Sequence, residues 1–134
     1  MATAKAFQCD VRNSNAVKIV IDAVVKEFNG RLDVFIANAG IPWTEGPMVD
    51  VPMEHYSTVV SCNLNGAFHC ARAAAAHWRR QKETGTDIFG NRLTDFTYGS
   101  FVATASMSGH IVNIPQMQAA YNTAKSAVIH LCEF

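Results

Sequence analysis

The chain has 134 residues, 49% of them apolar and 16% charged, which is enough for one domain with a buried core. Eleven basic residues balance eleven acidic ones, so we expect neither nucleic acid nor an anionic membrane surface as a partner. No apolar run reaches the ~18 residues of a membrane span, no signal-peptide pattern begins the chain, and the four cysteines and five histidines lack ligand spacing. We expect a cytoplasmic protein with reduced thiols and no metal site.

The predicted elements alternate between strand and helix. Residues 6–11 are typical of a short strand that ends in a polar turn over 12–15. Apolar residues at helical spacing then predict a helix that Asn13 or Ser14 can cap and that Asn29-Gly30 can end. The continuous apolar run from Val34 to Ala37 predicts a parallel strand that is covered on both faces.

A long helical region is expected from about Pro52 to Lys82, with a break near 63–66. Small residues line its second half, 67–76, and allow close helix packing. A polar loop over 81–100, a buried strand over 101–105 and a last helix from Ala119 follow. This β-α-β-α-β-α order predicts an α/β fold in which helices flank a parallel sheet.

Polar residues stand where the predicted strands end: Asp10, Asn38 and Ser106. Ligands of open parallel sheets bind at the carboxyl ends of the strands, so this placement indicates a site there. It also indicates that the loop over 81–100, which enters a strand at its amino end, projects away from the site. Taken singly, Asp10 and Asn38 are also consistent with turn or helix caps.

Tyr121 and Lys125 lie four residues apart, on one face of the last predicted helix. A neighbouring ammonium favours the phenolate and prepares a tyrosine to exchange a proton with an alcohol or carbonyl oxygen. The alternative is a solvated pair on an amphipathic helix. Asn63 stands mid-helix, where asparagine is disfavoured. It either marks a helix break alone or holds a water that links Lys125 to solvent.

The motifs resemble, in this order and spacing, those of the short-chain dehydrogenase/reductase family. They are Asp10-Val11, Asn38-Ala39-Gly40, Asn63-Leu64-Asn65-Gly66, Ser106 and Tyr121-x-x-x-Lys125. The stretch over 103–121 is most similar to the family's fungal NADP-dependent polyol dehydrogenases and ketose reductases, which include mannitol dehydrogenases, sorbose reductases and L-xylulose reductases. The resemblance implies a Rossmann-like fold, NADP(H) as cofactor, a small polyol or ketose as substrate, and homodimers or homotetramers.

The same resemblance implies a role for each matching residue. Tyr121 is the catalytic acid/base, and Lys125 lowers its pKa and holds the nicotinamide ribose. Ser106 orients the substrate oxygen, and it is preferred to Ser108 because it directly follows the strand. Asn63 anchors the water of a proton relay. The remaining cofactor contacts are Asp10 and Val11 at the adenine, and the turn of Asn38, Ala39 and Gly40 at the border of the cofactor.

The resemblance covers 1–134 as an incomplete domain, with the family's first two and last two strands outside the sequence. The strand over 34–37 is then expected to present an exposed apolar edge. No glycine cluster of the type Thr-Gly-x-x-x-Gly-x-Gly occurs in the sequence, and in the family that turn holds the pyrophosphate. The alternative to an enzyme is therefore a truncated, non-catalytic fragment or an interaction module.

Overall fold

The computed structural model describes residues 3–43 and 46–133. Within these ranges the chain forms four helices and one two-stranded parallel sheet. The elements are α1 (Ser14–Glu27), β1 (Val34–Ala37), α2 (Met53–Val60), a π-helical turn (Ser61–Asn65), α3 (Gly66–Thr84), β2 (Ser100–Ala103), a 3-10 turn (Met107–Gly109) and α4 (Ala119–Leu131). The predicted α/β class, a small parallel sheet with flanking helices, is confirmed.

Helix α1 forms where the apolar spacing predicts it. The side chain of Asn13 caps it by accepting hydrogen bonds from the backbone N–H groups of Asn15 (3.0 Å) and Ala16 (3.1 Å). Its buried residues are Val17, Ile21 and Val25, one turn apart. Gly30 follows the helix with φ +76°, a left-handed conformation that suits glycine. This helix supplies one side of the main core.

The sheet is covered on one face only by the described residues. Phe35 and Phe101 are paired across the two strands, with ring centroids 6.1 Å apart, and both pack against the core between α1 and α3. On the opposite face Val34, Ile36 and Val102 are 54%, 63% and 49% exposed. The expectation that the strand over 34–37 is covered on both faces is therefore wrong for this part of the chain. The sequence predicts an exposed apolar edge, and the structure exposes one face of the sheet as well.

Residues 6–11 form no strand, contrary to the sequence expectation. A strand exists only where a neighbour accepts and donates its backbone hydrogen bonds, and no described segment forms a ladder with these residues. Cys9 and Val11 nevertheless pack against the main core. The apolar pattern of 6–11 therefore indicates residues that pack against the core, and it does not indicate a strand.

The predicted helix break is a π-helical turn, and the chain stays helical through it. The extra residue of a π turn widens the helix locally, as is common at functional sites. Helix α3 continues to Thr84, beyond the predicted end at Lys82, and Gly85 ends it with φ +66°. Its buried Gln81 side chain accepts from the N–H of Leu32 (2.7 Å) and donates to the Leu32 carbonyl (2.9 Å), which ties the end of α3 to the segment before β1.

The loop that follows α3 packs at the amino ends of the two strands. The N–H of Ile88 donates to the carbonyl of Gly30 (2.9 Å), and Arg31 forms an ion pair with Asp95 (2.8 Å). The loop therefore leaves the carboxyl ends of β1 and β2 free, as the sequence predicts, although it begins after Thr84 rather than at residue 81.

Within the described ranges, no helix is long and apolar enough to cross a membrane. The same residues contain no group of histidine, cysteine and acidic side chains that could hold a metal ion. All four cysteines are free thiols, and burial raises the pKa of the Cys70 thiol to about 11.

Candidate active site

Lys125 is a buried cation at the carboxyl end of β2. Only 4% of the residue is exposed, and its Nζ donates a hydrogen bond to the backbone carbonyl of Thr104 (2.6 Å). Burying an ammonium is costly unless polar groups receive its hydrogens, so this carbonyl fixes where Nζ lies. Tyr121 precedes Lys125 by one helical turn, and its ring centroid lies 5.6 Å from Nζ. Helix α4 thus presents both groups from one face.

Asn63 adds a buried acceptor beside this cation. Its Nδ2 donates to the carbonyls of Ile41 (2.8 Å) and Val59 (3.0 Å), and the residue is 1% exposed. Its Oδ1 is buried and accepts no hydrogen bond from any described residue. Because nearly all buried polar atoms are paired, this oxygen marks a place for a water or a ligand hydroxyl.

Gly40 brings the two groups together. A Cβ built on Gly40 would lie 2.6 Å from Asn63 Oδ1 and 3.6 Å from Lys125 Nζ. The first distance is shorter than any real Cβ contact. The turn after β1 can therefore approach Asn63 this closely only because residue 40 has no side chain. Gly40, Asn63 and Lys125 therefore form one cluster at the carboxyl side of the sheet.

Ser106 and Ser108 differ in how their hydroxyls are used. Ser106 is half-buried, and its Oγ accepts from the N–H of Ser108 (3.2 Å), so it caps the 3-10 turn. Ser108 is 7% exposed, and its Oγ accepts from Nδ2 of Asn113 (2.9 Å). The turn packs on α4, since a Cβ on Gly109 would lie 2.9 Å from the backbone of Lys125. Ser106 is the more accessible hydroxyl at this end of β2.

A small cleft of about 100 Å³ lies beside this cluster, between β1 and the start of α3. Three of the predicted cofactor residues line it, namely Val11, Asn38 and Ala39. Val11 reaches the cleft because Gly66 at the start of α3 lacks a Cβ, which would lie 2.7 Å from Val11 Cγ2. The structure thus gathers residues that are far apart in the chain along one cleft wall.

Asp10 lies on the exposed turn before α1, and both oxygens of its carboxylate accept hydrogen bonds from Arg12. It accepts from the Arg12 N–H (3.0 Å), from Nε (3.0 and 3.1 Å) and from Nη2 (2.8 Å). These hydrogen bonds lower the Asp10 pKa to about 2. The geometry is that of the turn cap considered from the sequence, with the side chain of Asp10 half exposed.

Two residues near the site carry no signal in the sequence motifs. Thr104 receives Lys125 on its carbonyl, and its Oγ1 donates to Oδ1 of Asn38 (2.8 Å). Arg12 occupies the Asp10 carboxylate. The only available signal for Thr104 is its position at the end of a predicted strand, two residues before Ser106.

A second groove, larger than the small cleft, lies elsewhere, between α1 and α3, with a volume of about 420 Å³. Basic residues line part of it, namely Lys18, Arg72 and Arg80. It shares no residue with the cluster around Lys125 or with the cleft beside it. Cavity size alone would therefore point away from the candidate site.

The chain is similar over its whole length to proteins of known class. A family profile described as Enoyl-(Acyl carrier protein) reductase matches residues 1–134. An L-xylulose reductase of Hypocrea jecorina is 56% identical over 129 residues, which are 96% of this chain and 45% of that protein. A probable NADP-dependent mannitol dehydrogenase of Yarrowia lipolytica is 52% identical, over 95% of this chain and 40% of that protein.

Solved structures agree with these sequence relatives. The NADPH-dependent 3-quinuclidinone reductase of Rhodotorula rubra superposes with a TM-score of 0.73 at 41% identity, over 94% of this chain and 41% of that one. An NAD+-bound xylitol dehydrogenase superposes with a TM-score of 0.74 at 33% identity, over 95% of this chain and 42% of that one. The chain therefore spans less than half the length of each of these proteins.

Proposed function

Because this chain belongs to the short-chain dehydrogenase/reductase family, we propose that the protein transfers hydride between NADP(H) and a polyol/ketose pair, with Tyr121 as the proton donor and acceptor. The buried pairing around Lys125 is the observation that carries the proposal. A buried cation with spare donors lies beside the unpaired oxygen of Asn63 and 5.6 Å from the centroid of the Tyr121 ring. A phenol, a buried ammonium and a free buried acceptor in one place are the groups that proton transfer requires, and this supports the proposal.

The residues present fit two parts of the cofactor. Lys125 would hold the nicotinamide ribose, and Asn38, Ala39 and Gly40 would border the cofactor along the cleft that Val11 also lines. Asp10 would reach the adenine from an exposed turn, where Arg12 pairs with its carboxylate. The sequence holds no glycine-rich turn for the pyrophosphate. We propose that 1–134 corresponds to the part of the domain that carries proton transfer.

The proton path follows from the contacts around Lys125. In ketose reduction NADPH, when bound, supplies the hydride. Ser106 donates a hydrogen bond to the substrate oxygen, and Tyr121 gives that oxygen its proton. The Lys125 ammonium stabilises the phenolate that remains, through the field of a buried cation close to the ring. A water on Asn63 Oδ1 and Lys125 Nζ then returns a proton to Tyr121 from solvent.

Substrate and cofactor class are inferred from the relatives. The names of two of them specify L-xylulose and mannitol, and one neighbour is an NADPH-dependent reductase. One other neighbour holds NAD+, so the preference for NADP(H) is tested directly by comparing the two reductants. We propose a small polyhydroxylated ketone as substrate, and a homo-oligomer as the working state.

The test is reduction of xylulose and sorbose with NADPH by the 134-residue polypeptide and by any longer product of its gene that contains it. Tyr121→Phe keeps the ring and removes the proton donor, so we expect turnover to fall by about 10²-fold or more. Tyr98→Phe is the matched control, because Tyr98 is 78% exposed, in the loop at the amino ends of the strands. Equal turnover in wild type and Tyr121→Phe contradicts the proposal. The proposal is also contradicted if neither the 134-residue polypeptide nor the longer product shows NADPH-dependent activity.

A second candidate rests on the missing glycine cluster and on the exposed sheet face of Val34, Ile36 and Val102. In this case the 134-residue polypeptide is a non-catalytic fragment or an interaction module. Without amides for the pyrophosphate, it binds NADPH negligibly and does not turn over. Fluorescence titration with NADPH distinguishes the two candidates. If the 134-residue polypeptide binds NADPH with micromolar affinity, and if Tyr121→Phe abolishes its turnover, the non-catalytic candidate is ruled out.

A further inference from the structure

Thr104 joins the two halves of the candidate site through three hydrogen bonds. Its N–H donates to the carbonyl of Ala37 (3.0 Å), which extends the parallel ladder one residue beyond β2. Its carbonyl receives Lys125 Nζ (2.6 Å), and its Oγ1 donates to Oδ1 of Asn38 (2.8 Å). One residue therefore contacts the end of β1, the turn after it and the buried cation of α4.

The contact with Thr104 engages the oxygen of the Asn38 amide and leaves its nitrogen free. With Oδ1 accepting from Thr104, the two Nδ2 hydrogens have no acceptor among the described residues. Asn38 is exposed and lines the small cleft, so its side chain offers a free hydrogen-bond donor to a ligand at that cleft. The neighbours of Thr104 along the chain, Ala103 and Ala105, have no side-chain donor, and they could not replace it after a small shift.

We infer that Thr104 is a positioning residue that holds the side-chain amide of Asn38 in place and, through its backbone, keeps that turn in register with Lys125. The inference rests on the proposed function, because the donor matters only if the cleft receives the cofactor. Thr104 itself touches no reacting atom. Its effect should appear in cofactor affinity, whereas proton transfer by Tyr121 should be unchanged.

Three variants isolate the hydroxyl. Thr104→Val keeps the shape and the backbone bonds and removes the donor. Thr104→Ser restores the donor with one methyl fewer. Thr97→Val is the matched control, because Thr97 is exposed in the loop at the other end of the strands and its side chain makes no hydrogen bond with a described residue.

The first measurement does not depend on activity. The side-chain amide signals of Asn38 are identified in a ¹H–¹⁵N spectrum by their absence in Asn38→Asp. We expect these signals to shift in Thr104→Val, and to stay near their wild-type positions in Thr104→Ser and Thr97→Val. Unmoved signals in Thr104→Val overturn the hydrogen bond and the inference with it.

The second measurement separates KM from kcat, with NADPH as the varied ligand. Thr104→Val should raise KM about 3- to 10-fold, as for the loss of one neutral hydrogen bond, and leave kcat and its pH profile unchanged. Adding Thr104→Val to Asn38→Ala should cost nothing further, because the hydroxyl acts through that amide. Additive effects, or an unchanged KM beside shifted Asn38 signals, refute a positioning role.

Failure of the proposed function is recognised separately. If the wild-type protein neither binds nor oxidises NADPH, the proposed function fails, and the role of Thr104 in cofactor affinity fails with it. The Asn38 signals still show, in that case, whether Thr104 holds the amide.

Discussion

Gly40→Ala tests the closest approach in the candidate site. The new Cβ would lie 2.6 Å from Asn63 Oδ1, against an ordinary contact of about 3.4 Å or more, so one of the two must move by about 0.8 Å. Asn63 cannot move freely, because its Nδ2 is held by the carbonyls of Ile41 and Val59 and the residue is 1% exposed. Overpacking at such a position costs about 1–3 kcal/mol.

Urea and thermal unfolding followed by circular dichroism measure this cost. For a domain of this size, a loss of 1 kcal/mol lowers Tm by roughly 3–5 °C, so a fall of about 3–15 °C is expected. Gly46→Ala is the matched control, because no described atom lies within 4 Å of its added Cβ. Gly40→Ala combined with Asn63→Ala should lose less than the sum of the single changes, since truncating Asn63 removes the clashing oxygen. If Gly40→Ala is as stable as Gly46→Ala, the convergence of Gly40 and Asn63 is refuted.

Two further changes test the contact between the end of α3 and Leu32, and the pairing of Asp10 with Arg12. Gln81→Leu removes both hydrogen bonds between Gln81 and Leu32 and leaves the N–H of Leu32 unpaired. The free energy of unfolding, measured in urea, should therefore fall by about 2–4 kcal/mol. The control Gln116→Leu, at an exposed position, should leave it nearly unchanged, and equal losses in the two variants contradict the contact of Gln81 with Leu32. Arg12→Leu should return the Asp10 pKa from about 2 towards its ordinary value of 3.8, read from the carboxyl ¹³C shift. Because Arg12 lowers that pKa, the stabilisation it gives is present above about pH 3.8 and is lost as the pH falls through about 2; an unchanged titration in Arg12→Leu refutes the pairing.

The residues of the candidate site could be identified from the sequence, whereas their convergence could not. The spacing of Tyr121 and Lys125 alone puts them on one helix face, since the helical repeat is local geometry. The contact between Gly40 and Asn63 joins the turn after β1 to a π turn, and it depends on how α2 and α3 pack on the sheet. No local pattern encodes that distance.

Local signals were sufficient wherever a residue acts on its own neighbours. The cap at Asn13, the apolar repeat of α1 and the helix from Ala119 all formed as their patterns predict. In these segments the hydrogen-bond partner or the buried face lies within a few residues, so the sequence contains the whole interaction.

Only the tertiary structure decided the features that depend on distant partners. Residues 6–11 carry a strand pattern but have no neighbour to complete a ladder, and Val34 and Ile36 are apolar yet exposed because the described helices cover the opposite face. The Oδ1 atom of Asn38 accepts a hydrogen bond from the hydroxyl of Thr104, 66 residues away. Sheet pairing, burial and the direction of a side-chain amide are properties of two segments at once, and each is determined only when the second segment is in place.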